Sequence, residues 1–238
     1  MFWSRHATPL AVPVGSPSRP REIPIAVHPS KQGGVIVINY PGFMGDIDGF
    51  NDKYKKLADF MSGPCAIGTV VRMGNECDPS RRYSESVVED LASVIRFCSE
   101  RSTKLCRSST PRIFLVGFSA GASAIAALAS DFTSVEKILL IAPSGDAGAR
   151  TIKQNLPKYT GEFYAVVGSQ DEVVGASAAE TFSSLATRAS VNRTLIVPDC
   201  DHQFKGEPNG YIMSALPAWA FTRRGEGIPC QESGIKLY

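Results

Sequence analysis

The 238-residue chain has only three histidines, and its six cysteines form no C-x-x-C pair. A zinc site built from His and Cys ligands therefore has little material, and we expect neither a metal nor a cofactor. Several of the cysteines fall in stretches typical of core strands or helices. We interpret them as free thiols in a reducing compartment and expect a cytoplasmic protein; they are at positions 65, 77, 98, 106, 200 and 230.

Long apolar runs and an excess of charge are also missing. No apolar run approaches the ~18 residues that a membrane span needs, and residues 1–6 lack the pattern of a secretory signal. The net charge is +2, with no stripe of Lys and Arg interleaved with aromatics, which argues against nucleic acid. The 43% hydrophobic and 20% charged residues are typical of a globular protein with a real core. We expect a small-molecule partner, and nothing indicates the oligomeric state.

Strands and helices alternate along most of the chain. Residues 1–22 are rich in Pro, Ser and Arg and predict an extended arm or an edge strand, followed by one domain over 23–238. Strands separated by helices imply βαβ units and a mostly parallel sheet with helices on both faces. Residues 144–161 are the one candidate insertion, too short for a large lid domain. Strands are predicted over 23–28, 35–40, 66–71, 113–117, 137–142, 162–167 and 193–197, and helices over 48–61, 84–100, 119–129, 176–189 and 211–221.

The strongest chemical signal is Gly117-Phe118-Ser119-Ala120-Gly121, a G-x-S-x-G between an apolar strand and a helix. In this context the serine sits on a strained turn that raises its hydroxyl above the sheet, and the glycines let neighbouring backbones approach. Two alternatives remain. Ser119 can simply cap the helix, or the turn can bind phosphate, although it lacks the G-x-G-x-x-G and G-K-[ST] spacings.

A serine nucleophile needs a base, and the base needs a carboxylate to orient it. His202 follows the last apolar strand, at the sheet edge where ligands bind in such folds. Asp171 follows the preceding strand, although an aspartate there is also a natural helix cap. Glu172 and Asp146 are the alternative carboxylates. The order Ser119, Asp171, His202 is the one found in α/β-hydrolase triads.

The loop after the strand over 35–40 is the candidate source of oxyanion donors. Gly42 lets this loop turn close to a substrate, so that Phe43 presents its backbone N–H, and Met44 is a possible substitute. The amide of Ala120 is the second candidate donor. A plain β-turn explains Pro41-Gly42 equally well.

Three apolar side chains and one arginine are candidate substrate contacts. Phe43, Met44 and Phe118 can form an apolar wall for an acyl chain, although each is as readily a core residue. Arg72, at the end of a predicted strand, can pair with a substrate carboxylate or phosphate; an ion pair within the protein is the commoner fate of such a residue. With no lid, we expect an open site.

Over residues 23–221 these features resemble the α/β-hydrolase family. Phe43 matches its oxyanion position, Ser119 its nucleophile, Asp171 its acid and His202 its base. The run 201–204, Asp-His-Gln-Phe, resembles the base loop of small, lidless esterase-like members.

The oxyanion loop departs from that pattern, because Pro41 stands where the family often has His. The hydrogen bonds that support the loop are therefore expected to differ. The resemblance implies a serine hydrolase that cleaves a carboxylic ester or thioester through an acyl-enzyme on Ser119. Family members also include ligand-binding or receptor-like proteins, acyltransferases and peptidases, and these alternatives stay open.

Overall fold

The computed structural model describes residues 7–16, 19–75, 82–229 and 233–237. Eight strands form one sheet in the order β1-β2-β4-β3-β5-β6-β7-β8. The strands are β1 (Thr8–Ser16), β2 (Arg19–His28), β3 (Val35–Tyr40), β4 (Thr69–Met73), β5 (Arg112–Phe118), β6 (Val135–Ile141), β7 (Glu162–Gly168) and β8 (Val191–Val197). The helices are α1 (Lys53–Ser62), α2 (Tyr83–Glu100), α3 (Ser102–Cys106), α4 (Ala120–Leu128), α5 (Ala149–Asn155), α6 (Ala178–Leu185) and α7 (Glu207–Phe221).

Strands β3 to β8 all run parallel to one another. Only the first two strands are antiparallel to their neighbours: β2 pairs antiparallel with β4, and β1 pairs antiparallel with β2. All six residues of β3 are buried, as expected of a strand covered on both faces. One core lies between the sheet and α2, α4, α5 and α6, and the other lies under α1 and α7. The mostly parallel sheet with helices on both faces is confirmed.

The first two strands form a hairpin at one edge of the sheet. β1 pairs with β2 along its whole length, but only Ile25–His28 of β2 pairs with β4, so the rest of the hairpin extends beyond β4 as a two-stranded ribbon. Arg21 of this ribbon forms an ion pair with Asp90 of α2. The boundary expected between residues 22 and 23 therefore falls inside a strand, because the apolar residues of β2 continue the hairpin into the core.

Several predicted elements have different bounds in the structure, and three of these differences change the local architecture. The helix over 48–61 divides into a 3₁₀ turn (Phe50–Asp52) and α1, because Asn51 and Asp52 have left-handed φ of 54° and 58°. The strand over 66–71 begins only at Thr69, after the left-handed Ala66. The segment 144–161 contains α5 and packs against α4, so it forms part of the helical layer.

Four cysteines, Cys65, Cys98, Cys106 and Cys200, are free thiols; Cys77 and Cys230 lie outside the described residues. Within the described ranges no helix combines the length and apolar character of a membrane span. The same part of the chain holds no group of three or more His, Cys, Asp or Glu side chains arranged for a metal ion.

Candidate active site

Ser119 sits on a strained turn between β5 and α4. Its backbone has φ 51° and ψ −114°, a conformation that non-glycine residues rarely adopt. A Cβ on Gly117 would lie 2.6 Å from backbone atoms of Ala122, and one on Gly121 would collide with the carbonyl oxygens of Tyr40 and Pro41. The two glycines therefore permit the close backbone packing that the G-x-S-x-G pattern predicted.

The structure brings Ser119, His202 and Asp171 together at the carboxyl edge of the sheet. His202 Nε2 lies 3.2 Å from Ser119 Oγ, and His202 Nδ1 lies 2.8 Å from Asp171 Oδ2. All three residues are at most 8% exposed. A carboxylate on Nδ1 fixes the tautomer in which Nδ1–H donates to Asp171 and Nε2 accepts the Ser119 hydroxyl proton.

Asp171 is anchored on its other side by the backbone. Its Oδ1 accepts the N–H groups of Val173 and Val174 at 2.9 and 3.0 Å, so it also has the turn role expected of an aspartate there. The alternative Asp146 accepts a hydrogen bond from Ser144 Oγ at 2.6 Å instead of contacting His202. The alternative Glu172 is exposed.

Close backbone packing also joins the loops that carry Asp171 and His202. The N–H of Gln170 donates to the carbonyl of Cys200 at 2.9 Å, and a Cβ on Gly168 would overlap that same carbonyl. The spacing between Asp171 and His202 is thus fixed by main-chain contacts, which are less mobile than side-chain contacts alone.

The loop after β3 is held by Asn75, a residue that our sequence analysis missed. Asn75 is 2% exposed; its N–H donates to the Gly45 carbonyl at 2.8 Å and its Nδ2 donates to the Pro41 carbonyl at 3.0 Å. Nδ2 also contacts the Tyr83 hydroxyl at 2.9 Å. These bonds join both ends of the turn that carries Phe43. Since Pro41 has no side-chain donor, this polar support comes from elsewhere in the chain.

The two candidate oxyanion donors flank the serine. A Cβ on Gly42 would lie 3.2 Å from Ser119 Cβ, so the loop passes directly beside Ser119. Ala120 is the first residue of α4, where a backbone N–H has no partner within the helix. Within the described part of the chain, the N–H of Phe43 also has no protein acceptor.

Ser119 and His202 open onto a cavity of about 880 Å³. Phe118, 5% exposed, forms part of its floor, with its ring centroid 5.2 Å from that of His202. Four apolar side chains at the mouth are between 59% and 72% exposed, and we call them the apolar rim: Phe43, Met44, Phe50 and Val173. The predicted wall residues Phe43, Met44 and Phe118 all line this cavity.

Comparison with solved structures identifies the architecture. An alpha-beta serine hydrolase homologue from Coxiella burnetii is 21% identical, with a TM-score of 0.66 over 87% of this chain and 94% of the other. Dienelactone hydrolase from Anabaena variabilis is 16% identical, with a TM-score of 0.70 over 92% and 98%. This is the α/β-hydrolase fold. Est1E from Butyrivibrio proteoclasticus is similar too, at 12% identity and a TM-score of 0.68 over 91% and 99%. No family model and no curated protein matches the sequence.

Arg72 does not serve the site in the way that its position suggested. The α/β-hydrolase fold places it on β4 next to β2, where it is 2% exposed and does not line the cavity. Its Nε donates to His28 Nε2 at 2.8 Å, and Nη1 donates to the Ile47 carbonyl at 2.8 Å and pairs with Asp48. The expectation of a substrate contact is corrected, because this guanidinium is already bound within the protein.

Lys53, at the start of α1, is a cavity residue that our sequence analysis did not single out. It is 6% exposed, and burial lowers the pKa of its ammonium group to about 8, against the opposing effect of Asp46. Its spacing contained a signal, since Lys53, Leu57 and Met61 repeat every four residues and share the buried face of α1.

Proposed function

We propose that the chain is a serine hydrolase that cleaves small carboxylic esters or thioesters through an acyl-enzyme on Ser119. The observation that carries the proposal is the contact of His202 with both Ser119 Oγ and Asp171, where Ser119 and His202 line a cavity. A strained serine buried beside an imidazole has little structural purpose, because the same turn without a hydroxyl would pack equally well.

The proposed mechanism follows from these contacts. His202 Nε2 removes the hydroxyl proton as Ser119 Oγ attacks the carbonyl carbon, and Asp171 stabilises the imidazolium that forms. The amides of Phe43 and Ala120 hold the oxyanion. His202 then protonates the leaving group, and in the second half it removes a proton from the water that releases the acid.

The open cavity and the apolar rim support small or medium esters with an apolar portion. The fold holds no lid in its described parts, so nothing there encloses a long chain. We expect 4-nitrophenyl esters of short acids to be hydrolysed with a kcat/KM that changes little as the acyl chain lengthens. A strong preference for long chains would contradict the open site.

A fluorophosphonate probe tests the nucleophile directly. The wild-type protein is expected to be labelled and to hydrolyse nitrophenyl butyrate, and Ser119→Ala is expected to lose both properties while remaining folded. Ser144→Ala is the matched control, because Ser144 lines the same cavity without contacting His202. Folded wild-type protein that neither reacts with the probe nor turns over esters would favour a ligand-binding function. Amide and acyl-acceptor substrates separate the peptidase and acyltransferase alternatives.

A further inference from the structure

Lys53 places a buried positive charge in the wall of the same cavity. Its Nζ lies 4.9 Å from the ring centroid of Phe118 and 5.0 Å from that of Tyr54. The ring of Phe118 also packs against His202. The ammonium group is therefore one aromatic ring away from the catalytic imidazole.

No acidic side chain neutralises this ammonium group directly. Within the described ranges, Lys53 forms no ion pair within 4.0 Å, whereas Lys137 and Lys205 each have a carboxylate partner. Aromatic rings stabilise a cation only modestly, by about 0.5–2 kcal/mol. A buried ammonium group without an anion is costly, so this position suits an anion that arrives with the substrate.

The backbone around Lys53 adds to the positive potential. Lys53 is the first residue of α1, and the N-terminus of a helix carries a partial positive charge that favours anions. The two carboxylates that line the cavity, Asp46 and Asp146, are exposed. Asp46 accepts the N–H groups of Asp48 and Gly49, and Asp146 accepts the Ser144 hydroxyl, so both have partners of their own.

We propose that Lys53 selects substrates that carry a second, unesterified carboxylate, which its ammonium group binds while Ser119 attacks the ester. This inference rests on the proposed hydrolase function. A carboxylate suits the site better than a phosphate, because a dianion would face two aspartates with a single cation to balance them. The apolar rim is left for the uncharged part of the same molecule.

Two pairs of esters test the selection, one for each side of the ester bond. Mono-4-nitrophenyl adipate and 4-nitrophenyl hexanoate differ by a carboxylate on the acyl side. 4-Carboxyphenyl butyrate and 4-methylphenyl butyrate differ by a carboxylate on the alcohol side. For at least one pair, Lys53→Met is expected to lower kcat/KM of the charged ester by about 10- to 100-fold, the usual value of a hydrogen bond to a charged group.

The neutral ester of that pair is expected to change by less than about threefold. Lys55→Met is the matched control: it removes an exposed lysine of the same helix that does not line the cavity, and it should leave both esters unchanged. Equal losses for charged and neutral esters in both pairs would assign Lys53 a structural role and overturn the proposal.

The wild-type protein provides a second test that does not depend on how a variant folds. The ratio of kcat/KM for the charged ester to that for the neutral ester is expected to fall as the pH rises through about 8, where the Lys53 ammonium group loses its proton. Any ionisation that affects the two esters equally cancels in this ratio, and the substrate carboxylate stays ionised throughout. Asp46 acts on the Lys53 ammonium group against the effect of burial, and Asp146 is the other carboxylate that lines the cavity. A ratio that is constant from pH 6.5 to 9.5 would overturn the proposal.

Failure of this inference differs from failure of the proposed function. If neutral esters are hydrolysed and Ser119 is labelled, but neither pair shows a preference that depends on Lys53, the hydrolase proposal stands and the substrate class is wrong. If no ester is turned over and Ser119 is not labelled, both proposals fall together.

Discussion

Asn75 offers a sharp test of how the proposed oxyanion loop is positioned. Replacing it with the near-isosteric leucine removes the Nδ2 donor and leaves the Pro41 carbonyl without its buried partner. An unsatisfied buried acceptor costs about 1–3 kcal/mol of folding free energy. For a domain of this size each kcal/mol lowers Tm by about 2–4 °C.

The kinetic effect should exceed what this loss of stability explains. Losing one oxyanion donor completely costs about 10²–10³-fold in kcat, and a loosened loop keeps its donor for part of the time. We therefore expect Asn75→Leu to lower kcat by about 10- to 100-fold with KM nearly unchanged, because the oxyanion forms only in the transition state. The rate of fluorophosphonate labelling should fall in parallel.

Tyr83→Phe is the matched control for Asn75→Leu. It removes the hydroxyl next to Nδ2 but keeps the bond to Pro41 and the ring that packs edge-on against Phe43, with centroids 4.7 Å apart. Its kcat should stay within about threefold of wild type. If Asn75→Leu lowers Tm but leaves kcat intact, or raises KM alone, Asn75 supports the fold without positioning the oxyanion donor.

Three further changes test other parts of the structure. Asp171→Asn is expected to lower kcat by about 10³–10⁴-fold because the imidazole loses its tautomer and its counter-charge, whereas Glu172→Gln should change kcat less than twofold; similar kcat values for the two variants would exclude Asp171 as the acid. Burial lowers the pKa of His28, and with the Arg72 guanidinium it outweighs the hydrogen bond to Asp59, which raises that pKa. The folded state therefore favours the neutral imidazole over the charged one, and its stabilising contribution is complete above pH ~6.5 and is lost as the pH falls below that value. Urea midpoints at pH 7.5 and 5.5 should consequently differ more for wild type than for His28→Gln, and equal differences would refute the assignment. Gly121→Ala is expected to lower Tm sharply or to prevent folding, since its Cβ would overlap the carbonyl oxygens of Tyr40 and Pro41. A wild-type melting curve would show that the turn at Ser119 can shift to admit the methyl group.

The sequence was sufficient for the parts of the site that follow strand ends. Ser119, Asp171 and His202 each come directly after an apolar strand, and parallel strands bring their carboxyl ends to one edge. The pattern of β3 is likewise local, because a continuous apolar run with turn residues on both sides has few other structures available. Their catalytic roles remain predictions for the experiments above.

The residues that the sequence could not assign depend on the order of strands in space. Arg72 is on β4, and the strand order places β2 beside β4 where the sequence alone does not show it. This order brings His28 of β2 within reach of the Arg72 guanidinium. Asn75 reaches Pro41 across 34 residues of chain for the same kind of reason. The burial of Lys53 could not be predicted from the sequence, because lysines at the start of a lysine-rich helix usually face solvent.

The hairpin at the edge of the sheet has a consequence for how copies of this chain behave in crowded solutions. An edge strand presents unpaired N–H and C=O groups to which another chain can add a strand. β1 carries Pro9 and Pro13, four residues apart and therefore with the same orientation along the strand. Prolines in sheets occupy positions whose missing N–H would face outward. The outer edge of β1 thus lacks backbone N–H donors at positions 9 and 13. This makes β1 a poor template for the strand addition that begins aggregation.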